Sequence, residues 1–156
     1  MKIAVVVVGR ARGPLASAIA AYEDRAARYW KLEVHEVDEG VKGGGSEPGR
    51  VRAAEAERIL ARVPDGLEIL ALTRDGKGMS SRTLSRHLQE RALHASAGVA
   101  FVIGGAFGLD TDVLARARAR LSLSPMTFPH DMARLVLAEQ LYRAGTIVRG
   151  EPYHKA

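Results

Sequence analysis

Two segments of this sequence are apolar at every position: IAVVVV (3–8) and VAFVI (99–103). Both are dominated by valine and isoleucine, whose branched side chains suit a pleated strand. A strand with one wet face alternates polar and apolar residues, so a strand with no polar position must be covered on both faces. That requirement rules out a simple two-layer β protein and favours a sheet with helices packed on each side. Further runs of strand length follow the same logic: LEVHEV (32–37), LEILALT (67–73), LSLS (121–124) and TIVRG (146–150).

Helical patterns lie between the runs. Pro14 suits a first helical position, with Leu15, Ile19, Tyr22 and Ala26 at helical spacing behind it. Ser80 or Ser81 is placed to cap a helix carrying Leu84 and Leu88, and Thr111 one running to about Arg118. A last helix over 131–144 shows Met132, Leu135, Val136, Leu141 and Tyr142 on an apolar face, and its apolar surface is enough for a core and a partner copy. Strands alternating with helices predict an α/β fold with a mostly parallel sheet and helices on both faces. The segment GVKGGGSEPGR (40–50) has no periodicity and reads as a flexible connection.

The chain has 156 residues, which predicts a single domain spanning 1–156. It contains no cysteine, which excludes disulfides and thiolate chemistry. The five histidines lack metal-ligand spacing, so no metal site is expected. The N-terminal apolar run is too short for a membrane span, so no membrane partner and a cytoplasmic location are expected. A net charge of +5, with 18 arginines among 23 basic residues, tilts the expected partner toward a polyanion. Arg10, Arg12, Arg82, Arg116 and Arg149 are candidate phosphate contacts.

In open α/β sheets ligands collect at the carboxyl ends of the strands, which directs attention to the residues after Thr73, Ile103 and Ser124. After Ile103 comes GGAFGLD (104–110), which is either a tight turn or a loop that a ligand approaches without Cβ atoms in the way. It is neither GxGxxG nor a P-loop, and Asp110 and Asp112 make it a poor seat for a pyrophosphate. LSLSPMTFPH (121–130) is uncharged before His130 and stiffened by Pro125 and Pro129. The tail RGEPYHKA packs an aromatic, an imidazole and an ammonium into an end that most proteins leave frayed.

VIGGAFGL, LSLSPMTFPH, MARLVLAEQLYRA and GEPYHK, in this order, resemble the signature of the RlmH (YbeA-like) family. The VGR-type first strand and DGKGMSS (75–81) extend the likeness nearly end to end. These are SPOUT-class methyltransferases acting on N3 of pseudouridine 1915 in 23S ribosomal RNA. The resemblance implies a C-terminal trefoil knot, a homodimer, and a substrate that is 23S rRNA, within the ribosome or its large subunit. It also implies S-adenosylmethionine as donor, held by Leu72, Gly104 and the segment Leu123, Ser124, Pro125, Met126, Thr127 and Phe128. Tyr153, His154 and Lys155 are then the catalytic residues at the target nucleotide. A rigid neutral segment suits that donor: its amides and carbonyls can read an adenine edge, and it holds no cation to repel a sulfonium. Two other readings are a nucleotide-binding redox protein and a non-enzymatic RNA-binding module. The first lacks GxGxxG, and the second leaves the stiff neutral segment and the Tyr-His-Lys tail unexplained.

Overall fold

In the computed structural model, which describes residues 1–94 and 96–155, the two apolar runs become neighbouring strands. The expected domain's last residue, Ala156, and Ala95 lie outside the described residues. β1 (Lys2–Val8) and β4 (Gly98–Ile103) pair in parallel, with Val5 opposite Phe101. β2 (Lys31–Val37) flanks β1, β3 (Glu68–Gly78) flanks β4, and β5 (Ala119–Ser122) lies at the far edge. The order is β2-β1-β4-β3-β5, and every pairing is parallel. Parallel neighbours need crossovers, and helices supply them: α1 (Ala16–Ala26), α2 (Pro48–Arg62), α3 (Ser81–Leu93), α4 (Thr111–Arg116) and α5 (His130–Val148).

Alternate residues of the central strands serve opposite layers, as strand geometry requires. Ile3, Val5 and Val7 join Val99, Phe101 and Ile103 against Ala26 of α1, Leu84 and Leu88 of α3, and Leu137 and Leu141 of α5. Ala4, Val6 and Val8 face the other way, onto Ala56 and Ile59 of α2 and Val113 of α4. Each fully buried valine or isoleucine contributes about 1.5–3 kcal/mol. The two-sided cover expected from the sequence is present. No helix among the described residues is long and apolar enough to cross a membrane.

Four elements differ from the sequence reading. The strand expected at 121–124 is β5 at Ala119–Ser122, so Leu123 and Ser124 lie past it. TIVRG (146–150) is not a strand, because α5 runs on to Val148. Thr146 is fully buried there, and its hydroxyl donates to the Arg143 carbonyl, so tertiary packing overrides β propensity. The glycine-rich connection ends earlier than its composition suggested, since α2 starts at Pro48. Glu47 caps it, accepting from the amides of Gly49 at 3.0 Å and Arg50 at 2.7 Å. Thr111 is the first residue of α4 and Asp110 is its cap, accepting from the Asp112 amide. Ser80 caps α3 through the Thr83 amide, one of the two alternatives expected.

One charge is buried in the layer between α1, β2 and α5. The Arg134 side chain is 8% exposed. Its guanidinium donates to Glu23 at 2.9 and 3.1 Å and to Glu36 at 2.6 Å. Burial disfavours its charge, but Glu23 and Glu36 outweigh burial and hold its pKa above the usual arginine value. Burial likewise pushes the Glu36 carboxyl up, and hydrogen bonds from Arg134 and the Ala11 amide reverse this and hold it low. Arg134→Leu leaves two carboxylates without their cation and is expected to cost about 3 kcal/mol, read as a lower urea midpoint at neutral pH. A loss below about 1 kcal/mol would show the ion triad to be dispensable. Because the folded-state pKa of Glu36 is depressed, its contribution is present above the unfolded value of about 4.3 and is lost as pH falls through the lower, folded one.

Candidate active site

The strand order explains how distant residues converge. β5 ends at Ser122 on the sheet edge, and α5 begins at His130, whose ring rests on Gly9 just past the end of β1. β3 and β4 lie between, so residues 123–129 must cross about three inter-strand spacings, roughly 14 Å. Seven residues reach about 23 Å when extended, so the crossing is short but feasible. It starts beside the bulge of β3, where Leu72 follows the last β4-paired residue Ala71, and heads across the carboxyl end of β4, which Gly104 follows. Leu123 and Phe128, together with Leu72 and Met79, pack as half-buried anchors on the core. Pro125, Met126 and Thr127 are exposed between these anchors, Met126 by 74%. Ser124 ties the turn by accepting from the Met126 amide at 3.0 Å.

The strand ends beneath this crossing are shaped for close approach. After Leu72 the chain bulges, so that Leu72 and Lys77 both oppose Leu121. The Thr73 hydroxyl beside it is buried and has no hydrogen-bond partner. At the end of β4 a Cβ on Gly104 would lie 2.8 Å from the Gly108 carbonyl carbon. A Cβ on Gly105 would lie 3.0 Å from Glu55 Oε1 and from a Val8 methyl. Gly104 does not take a positive φ, whereas Gly108 does, at +79°. The glycine at 104 is thus required by its own loop, and Gly104→Val disturbs that loop rather than only filling ligand space. Glu55 is 3% exposed; its Oε2 accepts from the Gly40 amide at 2.9 Å, and Oε1 has no partner.

The tail is ordered as a short 3₁₀ turn, Pro152–His154, folded back on the outer face of α5. The Glu151 amide donates to the Thr146 carbonyl at 2.9 Å. The Tyr29 hydroxyl donates to the Glu151 carboxylate, and that bond and burial push the Tyr29 phenol up. The Tyr153 ring lies 4.5 Å from that of Tyr142, and its hydroxyl donates to Glu139 at 3.2 Å. Arg143 stands 4.9 Å over the same ring and bridges Glu139 at 2.6 Å. Burial, then the Glu139 and Tyr22 charges, push the Tyr153 phenol up to about 12, so it is a neutral donor and not a phenolate base. His154 Nδ1 is buried without a hydrogen-bond partner. All four tyrosines of the chain join this surface, with Tyr22 and Tyr29 packing 6.4 and 5.8 Å from Tyr142.

The family of predicted SPOUT methyltransferases matches residues 1–154. The chain belongs to the SPOUT methyltransferase family. A protein of Gemmatimonas aurantiaca named ribosomal RNA large subunit methyltransferase H is 52% identical, the alignment covering 99% of this chain and 100% of that one. Proteins of the same name from Clostridioides difficile and Acetivibrio thermocellus are 40% and 42% identical over the same shares. Family membership implies a C-terminal knot. At the β3–β5 pairing itself the backbones are close, since a Cβ on Gly76 would lie 2.7 Å from the Arg120 carbonyl.

Within one protomer the expected residues form two groups. Leu72, Leu123 and Phe128 pack on one core cluster, Leu72 opposes Leu121 just before the crossing segment, and Gly104 directly follows β4. Tyr153, His154 and Lys155 do not join them: Tyr153 reaches α5 at Glu139, nine residues past His130, about 14 Å along the helix axis. Thr73 and Glu55 were not anticipated, since a lone threonine or glutamate in sequence carries no sign that its oxygen will lack a partner. Among the described residues no group of three or more His, Asp or Glu is arranged to hold a metal. The tail geometry makes a spectroscopic prediction. The phenolate absorbance lost in Tyr153→Phe, taken as wild type minus variant, should develop near pH 12 rather than at the free-tyrosine value of about 10. A midpoint near 10 would mean that the ring is not packed on α5.

Proposed function

We propose that this chain is a single-domain, S-adenosylmethionine-dependent methyltransferase acting on N3 of pseudouridine 1915 in 23S rRNA, within the ribosome or its large subunit. The observation that carries the reading is the uncharged, proline-stiffened crossing of residues 123–128 over the ends of β3 and β4. The relatives' names agree with it. The donor, when bound, supplies an electrophilic methyl on a sulfonium. The site fits such a molecule: the crossing presents backbone carbonyls and amides other than that of Met126, no cation faces a sulfonium from within it, and the Thr73 hydroxyl at the β3 bulge is an unused partner. Leu72 and Leu123 provide apolar surface for an adenine, and the tight turn that Gly104 permits keeps the backbone after β4 within reach of its edge.

The chain's remaining task is to align N3 and accept or direct its proton. Alignment of reacting groups is worth roughly 7–11 kcal/mol, and a positioned acid–base group about 10²–10⁴-fold. We assign His154 to the proton, Tyr153 to stacking and hydrogen bonding at the target base, and Lys155 to a phosphate or carbonyl oxygen. Because the tail sits about 14 Å down α5 from the crossing in its own protomer, it serves the cradle of a second copy. The tyrosine–arginine face of α1 and α5, with Met132 and Val148 left 38% and 37% exposed, supports a homodimer that brings the two groups together. A redox nucleotide-binding protein is not compatible with family membership. A purely RNA-binding role leaves the cradle without a purpose.

Removing residues 153–156 takes away the tail but no cradle residue. Donor affinity by calorimetry should change little, while single-turnover methylation of saturating ribosomes falls by at least ~10²-fold. His154→Ala should reproduce most of that loss. Methylation at the wild-type rate by either variant would remove the tail from the chemistry.

A further inference from the structure

Two matched motifs end at a place the donor and tail do not use. The VGR of the first strand and the FPH that closes the crossing segment meet where His130 lies on Gly9. Gly9 has φ +95°, its amide donates to the Val37 carbonyl at 2.9 Å, and a Cβ there would lie 2.6 Å from His130 Cε1 and Nε2. Backbone and ring both demand glycine. This contact floors a cleft of about 500 Å³ at the carboxyl ends of β1 and β2. The volume is of the size that holds small ligands, about 300–1,000 Å³.

The lining has two chemistries. Arg10 pairs with Asp38 at 3.5 Å, and Arg58 is occupied by the carbonyls of Asp38 and Gly40 at 2.7 Å. Arg12 and Lys42 are exposed lining residues that form no ion pair with any described residue. Glu39 and Asp131 bring carboxylates to the same cleft, and Val41 brings an apolar surface. A nucleotide has matching parts: an apolar ring face, ring N–H donors and an anionic phosphate. Pseudouridine, being joined to ribose through carbon, keeps N–H groups on both ring nitrogens, one more than uridine for a carboxylate to accept.

Location supplies the second argument. β1 and β4 are neighbours, so the cleft begins about one strand spacing, roughly 4.8 Å, from Gly104. His130 and Asp131, which line it, directly follow the crossing segment. An acceptor atom must come within about 3–3.5 Å of the transferred carbon, so its base has to sit beside the cradle. We propose that this cleft seats the target nucleotide of the RNA acceptor, with its ring against Val41 and the Gly9–His130 floor. The N1–H faces Glu39 and Asp131, which leaves N3 turned toward the donor, and a flanking phosphate meets Arg12 and Lys42. The inference rests on the methyltransferase reading and adds the acceptor side to it.

The test uses the full-length protein, S-adenosylmethionine and ribosomes unmodified at the target. One variant, Arg12→Ala with Lys42→Ala, removes the free cations; another, Val41→Phe, fills the cleft, with circular dichroism confirming its fold. Calorimetric donor affinity should stay within about twofold of wild type, because no cradle residue changes. The ribosome concentration for half-maximal single-turnover methylation should rise at least tenfold in both. In the double variant the log–log salt dependence of ribosome binding should become shallower by about one unit per lost phosphate contact. Unchanged half-maximal concentrations and an unchanged salt slope would overturn the assignment, as would a parallel fall in donor affinity, which would make the cleft part of the donor site. Ribosome binding measured without donor separates the two readings. A wild-type chain that binds but transfers no methyl defeats the activity, whereas equal binding by wild type and variants defeats the cleft.

Discussion

The fold's functional geometry depends on a chain that must travel from the sheet edge to its centre in seven residues. The start is fixed by the pairing of β5 with β3, and the end by the His130 ring lying on Gly9. Strand spacing does the rest, because the only route of that length runs past the carboxyl ends of β3 and β4. A flexible segment would make the crossing without holding a shape. This one has Pro125 and Pro129 to limit its conformations, and Leu123 and Phe128 to anchor each end in the core. Its amides and carbonyls are therefore displayed where parallel sheets collect their ligands.

The same crossing delivers α5 to the face it must cover. Leu137, Leu141 and Ala144 complete the layer over Ile3, Val5 and Val7, and Arg134 ties the helix to α1 and β2. Beyond that buried side the outer side of α5 is free to carry other features. Glu139, Tyr142 and Arg143 hold the tail there, which orders Tyr153 and His154 without bringing them to their own cradle. The homodimer proposed above would bring them to the cradle of a second copy. The cleft past Gly9 lies where the crossing ends at His130, so the proposed donor and acceptor positions adjoin along the strand ends.

Much of this was legible in the sequence, for physical reasons that differ by element. An uninterrupted valine run has one stable environment, so the positions of β1 and β4 followed directly. α2 escaped notice because its apolar positions are few and its start is hidden behind glycines, although Glu47-Pro48 is a cap followed by a first-turn proline. The end of α5 was misread because Thr146, Ile147 and Val148 have strand propensity that helix packing overrides. Leu72, Gly104 and 123–128 were named by resemblance, and their places on neighbouring strands required the strand order. Glu55 and Thr73 carry no sequence signal at all, since an unpartnered oxygen is a property of three-dimensional surroundings.

The central claim is that the crossing segment, over the ends of β3 and β4, is the donor cradle. Amide hydrogen exchange followed by mass spectrometry, with and without S-adenosylmethionine, tests it most directly. The account predicts slower exchange on donor binding at 123–128, at Leu72–Thr73 and at Gly104–Gly105, with β2 and α2 unchanged. Protection confined to other strand ends, with the crossing segment exchanging as fast as in the free protein, would contradict it.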